Sequence, residues 1–340
     1  MSTHTVPRDL LVRQLDAWLP AALQRSRRAT LALAYAGTGA EGADAALRAV
    51  GEHADRLRGF RLTVLVLAEG DEGLPARLGA AEAGLPAEVA VHVVPGGPER
   101  LPVALKAAGA AGAPLLTLAH GAAPTPALLA AARVGRPADL LLVAGPGASL
   151  RPALEAAGFP LVAEVDLLPD PEPAQPGLVG RAEPELTQSE PAQSGEAQAE
   201  AGSGAADAGR RVAFATGSDR SLQAFKDGLW AAGERAGVRY RDPAAPGDRA
   251  PAVTPTPAAA PAPELESLRR AILAELGRSG PRTVTELRRY ALTSTPYRSA
   301  DATRVLTALL ESGAVTREPA HGRLGGDVLI SAAPGAGPVV

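Results

Sequence analysis

The sequence predicts an α/β protein: an open, mostly parallel sheet covered by helices, followed by a small helical unit ending in a β hairpin. Three observations predict it. Short apolar runs of buried-strand type alternate with Ala-rich helical stretches through the first half of the 340-residue chain. Two stretches of different texture, residues 169–209 and 242–263, interrupt that alternation. Beyond them, residues 264–332 carry three helical patterns and then two short strands around a glycine-rich turn.

The elements follow in order. From about Arg8 to Gln24, Leu11, Leu15, Trp18, Leu19 and Ala22 recur at helical spacing. Strand runs follow at Thr30–Tyr35, Leu62–Ala68, Val89–Val94, Leu115–Ala119 and Leu140–Ala144, separated by helical stretches that make βαβ units. Leu161–Leu167 reads as a sixth strand and Arg211–Thr216 as a seventh. Ser218 is an N-cap for a helix whose stripe is Leu222, Phe225, Leu229 and Trp230, aromatic residues placed as core.

Residues 169–209 hold eight acidic side chains against Arg181 alone and few large apolar groups, so they are expected to be disordered. Residues 242–263 carry seven prolines and read as a semi-extended linker. The domains are therefore 1–168 with 210–241, and 264–332. In the latter, Leu268, Ile272, Leu273 and Leu276 mark one helix. Thr285 is placed as the cap of the next, with Leu287, Tyr290 and Ala291 inward, and Ser299 as the cap of a third, which Gly313 ends. Strands at Ala314–Arg317 and Asp327–Ser331 complete the order of a winged helix.

Composition excludes several function classes. The formal net charge of −3 provides no global basic field, and 3% aromatic residues argue against stacking platforms for single-stranded bases. Without cysteine there is no disulfide, thiolate nucleophile, iron–sulfur cluster or zinc ribbon. The five histidines are scattered and none has metal-ligand spacing, so no metal site is expected. No signal-peptide pattern opens the chain, and the uncharged stretch Ala107–Ala132 is broken by Pro114, Pro124 and Pro126, so a cytoplasmic protein without membrane contact is expected.

Four short motifs add a family. Leu15-Asp16-Ala17-Trp18-Leu19-Pro20 followed by Leu33-Ala34-Tyr35-Ala36-Gly37-Thr38-Gly39 resembles the capping helix and glycine loop that open the three-Cys-motif partner (TcmP-like) proteins. Phe214-Ala215-Thr216 with Lys226 and Trp230 resembles their F-A-T strand and M-K-x-x-x-W helix, and Thr295-Pro296-Tyr297 resembles their T-P-Y element. The resemblance implies a class I methyltransferase-like (Rossmann-like) seven-stranded sheet plus a C-terminal winged helix-turn-helix domain. It also implies that strands six and seven form an antiparallel hairpin carrying the acidic segment as an insertion.

The same resemblance implies S-adenosylmethionine as cofactor, held by Tyr35, Ala36, Gly37 and Gly39 of the glycine loop, with Glu69 and Asp71 as acids toward the ribose. Two departures imply that this site is partly or wholly degenerate. The family's acid at the start of the glycine motif is Leu33, and the D-P-F/Y-G element after the fourth strand is Leu118-Ala119-His120-Gly121. His120 is of a residue type whose unperturbed pKa suits a replacement base, yet it shows no sequence partner, and no residue is assigned a catalytic role.

Residues 264–340 carry ten Arg against eight Asp/Glu, a small positive excess in an otherwise acidic chain. On the third helix Thr303, Arg304 and Thr307 face outward, as residues meeting a major groove would. Arg288, Arg289, Arg298, Arg317 and Arg323 are placed to contact phosphates. The expected partner is nucleic acid, duplex DNA in particular, and the acidic segment is expected to compete for this basic face. The alternatives are an active methyltransferase acting on nucleic acid and a non-enzymatic protein-interaction scaffold.

Overall fold

The computed structural model describes residues 3, 5–37, 40, 42–69, 72–147, 149–169, 210–243, 252–255 and 265–333. The first half alternates as expected: α1 (Thr5–Arg25), β1 (Arg28–Tyr35), α2 (Ala43–Glu52), α3 (Ala54–Leu57), β2 (Arg61–Ala68), α4 (Leu74–Glu82), β3 (Val89–Pro95), α5 (Leu101–Ala107), β4 (Leu115–His120), α6 (Pro126–Ala132), β5 (Ala138–Ala144) and α7 (Arg151–Ala156). There follow β6 (Leu161–Pro169), β7 (Arg210–Thr216), α8 (Asp219–Ala236) and β8 (Val238–Arg241).

These strands form one mixed sheet in the order β3-β2-β1-β4-β5-β7-β6-β8. β1 to β5 are parallel, while β7 runs antiparallel to both β5 and β6. The strand order reverses direction between β1 and β4, the place where doubly wound sheets open a crevice at their carboxyl ends. Period-two alternation sorts the side chains. Leu31, Leu33 and Tyr35 enter the core under α1, α2 and α8, while Ala32 and Ala34 face the layer of α5 and α6.

The sheet has eight strands, not seven. β8 pairs antiparallel with Asp166–Pro169 of β6, so the β6/β7 hairpin is not the sheet's edge. Val-Arg-Tyr-Arg is too short to stand out beside an 18-residue helix, and it is the sheet edge that makes it a strand. Tyr240 then exchanges backbone hydrogen bonds with Val253 at 2.7 and 2.6 Å, so the stretch expected as a linker is pinned to β8 at one point. Residues 244–251 and 256–263 of that stretch, and 170–209 of the acidic segment, lie outside the described residues. The segment's ends are neighbours, since Leu167 pairs with Arg210.

The C-terminal unit runs α9 (Glu266–Ser279), β9 (Arg282–Thr283), α10 (Val284–Ser294), α11 (Ser299–Glu311), β10 (Val315–Glu318) and β11 (Leu329–Ala332), with a three-stranded antiparallel sheet in the order β10-β11-β9. Both expected caps move. The cap of α10 is Thr283, not Thr285: its Oγ1 accepts from Glu286 N at 3.2 Å while Glu286 accepts from Thr283 N at 2.8 Å. α11 begins with Asp301 reaching back to Arg298 N at 3.0 Å rather than with a Ser299 cap. In both helices the carboxylate at the third helical position, Glu286 or Asp301, reaches back to the N–H of the cap residue, and in α10 the Thr283 hydroxyl completes a capping box.

Candidate functional site

The glycine loop leaves β1 at the switch point. Tyr35 is fully buried, with its ring 5.9 Å from that of His120 on β4. Ala36 N donates to His120 O at 2.9 Å and Gly121 N to Val143 O at 2.8 Å, so the ladder continues past the strand ends. Gly37 has φ +89°, a conformation that requires glycine, and its carbonyl accepts from Glu69 N at 3.3 Å. The exposed Glu69 side chain lies toward Gly97, where a Cβ would come within 3.0 Å of Oε1. The structure thus brings Tyr35, Ala36, Gly37 and Glu69 together. Gly39 and Asp71 lie outside the described residues. Leu33 is fully buried in the apolar core.

Beside this loop stands a charged cluster that the sequence reading did not pick out. Because β7 runs antiparallel, its first residues meet the carboxyl ends of β4 and β5. Arg210 Nη1 lies 3.3 Å from His120 Nε2. Arg211 binds Asp166 through two bonds of 2.7 and 3.2 Å and lies 3.4 Å from Glu164. Glu164 in turn accepts from Ser149 Oγ, Leu150 N and Arg151 N at 2.7, 2.8 and 3.2 Å. Burial opposes the Arg211 charge, but Asp166 and Glu164 outweigh it and hold the guanidinium above its usual range. Acids and arginines inside runs that otherwise read as buried strand were the available signal.

Of the candidate nucleic-acid residues in the C-terminal unit, most are engaged in contacts with other protein groups. Arg298 and Arg304 both bind the buried Asp301, at 3.0 and 2.6 Å, and hold its carboxyl below the usual range despite burial. Arg288 donates to Thr303 Oγ1 at 3.0 Å, and Arg289 makes a two-bond pair with Asp219 of α8 at 2.9 and 2.8 Å. Arg317 donates to the carbonyls of Pro319 and Gly322, both at 2.9 Å, and so shapes the hairpin turn. Arg304, Thr307 and Arg323 are exposed.

The motif residues Lys226, Trp230 and Tyr297 meet at the junction of the two units. Lys226 Nζ, fully buried, donates to Thr295 O at 2.6 Å, and Trp230 Nε1 donates to Pro296 O at 2.9 Å. The Arg298 guanidinium lies 4.4 Å above the Trp230 ring. One apolar core runs from Val6 of α1 through Trp230 to Ile330 of β11.

No family model matches the chain, and no curated protein matches it in sequence. Assignment therefore rests on the residues and their geometry. Among the described residues no helix is long and apolar enough to cross a membrane, and no group of three metal-ligating side chains converges.

Proposed function

We propose that the chain is a nucleic-acid-binding protein of the three-Cys-motif-partner type. Its C-terminal unit is a winged helix that offers α11 to duplex DNA, and its larger domain is a degenerate methyltransferase-like scaffold. The observation that carries this reading is the placement of Arg304 and Thr307 on the outward face of α11, with Arg323 exposed in the adjoining hairpin. The order helix–strand–helix–helix–hairpin, with β9 joining the hairpin sheet, supports the winged-helix reading. The β3-β2-β1-β4-β5 order and the antiparallel β6/β7 pair support the methyltransferase resemblance.

The described residues do not fit S-adenosylmethionine, a sulfonium cation. The position that should anchor its polar end is Leu33, fully buried in the core. The β4 end that should face its transferable methyl carries His120 beside Arg210, and a guanidinium repels a sulfonium. No methyl-transfer step is derived for this chain. Internal engagement of Arg298 and Arg317 favours a second reading, a protein-interaction scaffold.

Fluorescence anisotropy of a labelled duplex with the full chain at several salt concentrations separates the two. A DNA binder loses affinity as salt rises, and the double variant Arg304→Ala, Arg323→Ala reduces the slope of log K against log salt by about 2. Absence of salt-dependent binding, or a slope unchanged in the variant, overturns the DNA reading in favour of the scaffold.

A further inference from the structure

At the opposite, amino-terminal edge of the sheet, α1 and the start of α8 close over the entry to β5. Two cavities of about 440 and 320 Å³ lie there and share Arg25, Pro137 and Ser218 in their walls, making one cleft large enough for a mononucleotide. It lies away from both the glycine loop and α11, so it stands or falls independently of the proposed function.

The smaller cavity is walled by three side chains that each carry one buried polar atom without a hydrogen-bond partner in the geometry. Gln14 Oε1, Trp18 Nε1 and Asp139 Oδ2 are all buried and unsatisfied. Gln14 and Asp139 are 1% exposed and Trp18 4%. One such atom is unremarkable in a folded chain, but three in a single wall are not, because buried polar groups are nearly always paired. Asp139 Oδ1 accepts from Thr216 Oγ1 at 2.5 Å. Burial pushes the Asp139 carboxyl up to about 6, against the pull of Thr216, Ser221 and Arg25. Above that pH the cleft holds a carboxylate. The rest of the wall is flat and small: the Trp18 ring, Pro137, and the methyls of Ala17, Ala21 and Ala224.

The larger cavity is cationic. Arg25, Arg133 and Arg136 line it beside Gly217 and Ser218, which lead into the 18-residue α8. Arg133 is spent on Ala157 O at 2.6 Å and on the Phe159 ring. Arg25 and Arg136 form no ion pair among the described residues, and Arg220 adds a further guanidinium to the wall of the smaller cavity.

We infer that this cleft binds a purine nucleotide with a guanine-type edge, its phosphate at Arg25, Arg136 and the α8 end, its base between Trp18, Gln14 and Asp139. The unsatisfied set is two acceptors and one donor. A guanine edge supplies the complement, two N–H donors and a carbonyl acceptor, whereas adenine supplies one donor group. Seating the base displaces the walls that now seal the three atoms, which makes binding a local rearrangement rather than rigid insertion.

Calorimetric titration of the full-length chain with GMP, AMP and inorganic phosphate tests this. GMP is expected to bind with Kd of ~10 μM and to raise the melting temperature, with AMP and phosphate each at least ~10-fold weaker. Asp139→Asn and Trp18→Phe should each weaken GMP ~10-fold, and Arg136→Ala should weaken GMP and phosphate alike. If Asp139→Asn fails to fold, Trp18→Phe and Arg136→Ala carry the test. No binding of any probe up to ~5 mM, AMP or phosphate as tight as GMP, or GMP binding indifferent to Trp18→Phe and Arg136→Ala would each overturn the inference.

Discussion

Lys226 holds the C-terminal unit against the larger domain by a single bond to Thr295 O, inside a core that solvates no charge. Burial pushes its pKa down to about 7, opposed by Asp242 and assisted by Arg151. The folded state therefore binds fewer protons than the unfolded chain between about pH 7 and the unperturbed lysine value near 10.4. Stability rises with pH across that window, by up to ~1.4 kcal/mol per unit from this group, and the penalty is complete below pH 7. Urea denaturation of the full chain between pH 7 and 9.5 should show that slope, and Lys226→Met should flatten it. An identical slope in the variant would mean that another group titrates.

At the scale of elements, α8 is constrained by β8, which folds straight back onto it. The Tyr240 hydroxyl donates to Leu229 O, and burial raises its pKa further above the usual phenol range. Gly233 sits beneath it: a Cβ there would come within 2.6 Å of Tyr240 Cζ and 2.8 Å of Pro255 Cγ. Gly233→Ala therefore forces the ring and the Val253 clip apart despite the better helix propensity of alanine. A loss of ~1–3 kcal/mol is expected in a denaturation midpoint comparison. An unchanged or raised midpoint would show that Tyr240 moves without cost. Nothing in the run Leu222–Trp230 reveals this contact, because it depends on which residues the chain brings back over the helix.

At the scale of the whole molecule, one of the two apolar cores, on the α1, α2 and α8 face of the sheet, is shared between the larger domain and the C-terminal unit. Trp230, Phe225 and Leu229 of α8 join the same cluster as Leu276, Leu306 and Ile330 of the C-terminal unit. The Asp219–Arg289 pair and the bonds to Thr295 and Pro296 cross the same boundary. The full chain is therefore expected to unfold in one cooperative transition, with fluorescence and far-UV circular dichroism superimposing. A chain ending at residue 264 should melt at lower temperature, because it bares Trp230 and strands the Lys226 ammonium without its carbonyl. Two resolved transitions, or an unaltered melt in the truncated chain, would show that the units are independent.

The sequence by itself determined the α/β class, β1 to β7, and the three helices and closing hairpin of the C-terminal unit, though not β9. Those features rest on apolar period, glycine and cap chemistry, which act within a few residues. The turn that leaves β1 at Ala36 and Gly37 was legible for the same reason, since a strand end followed by glycine marks a turn locally. Only the tertiary structure decided β8, which is a strand because β6 offers it an edge, and the engagement of Arg289 with Asp219 and of Arg211 with Asp166, partners far apart in the chain. It alone decided the meeting of Gln14, Trp18 and Asp139. These come from a helix face and a strand start far apart in the chain, and a polar group's lack of a partner is a property of the packed interior, not of its neighbours in sequence.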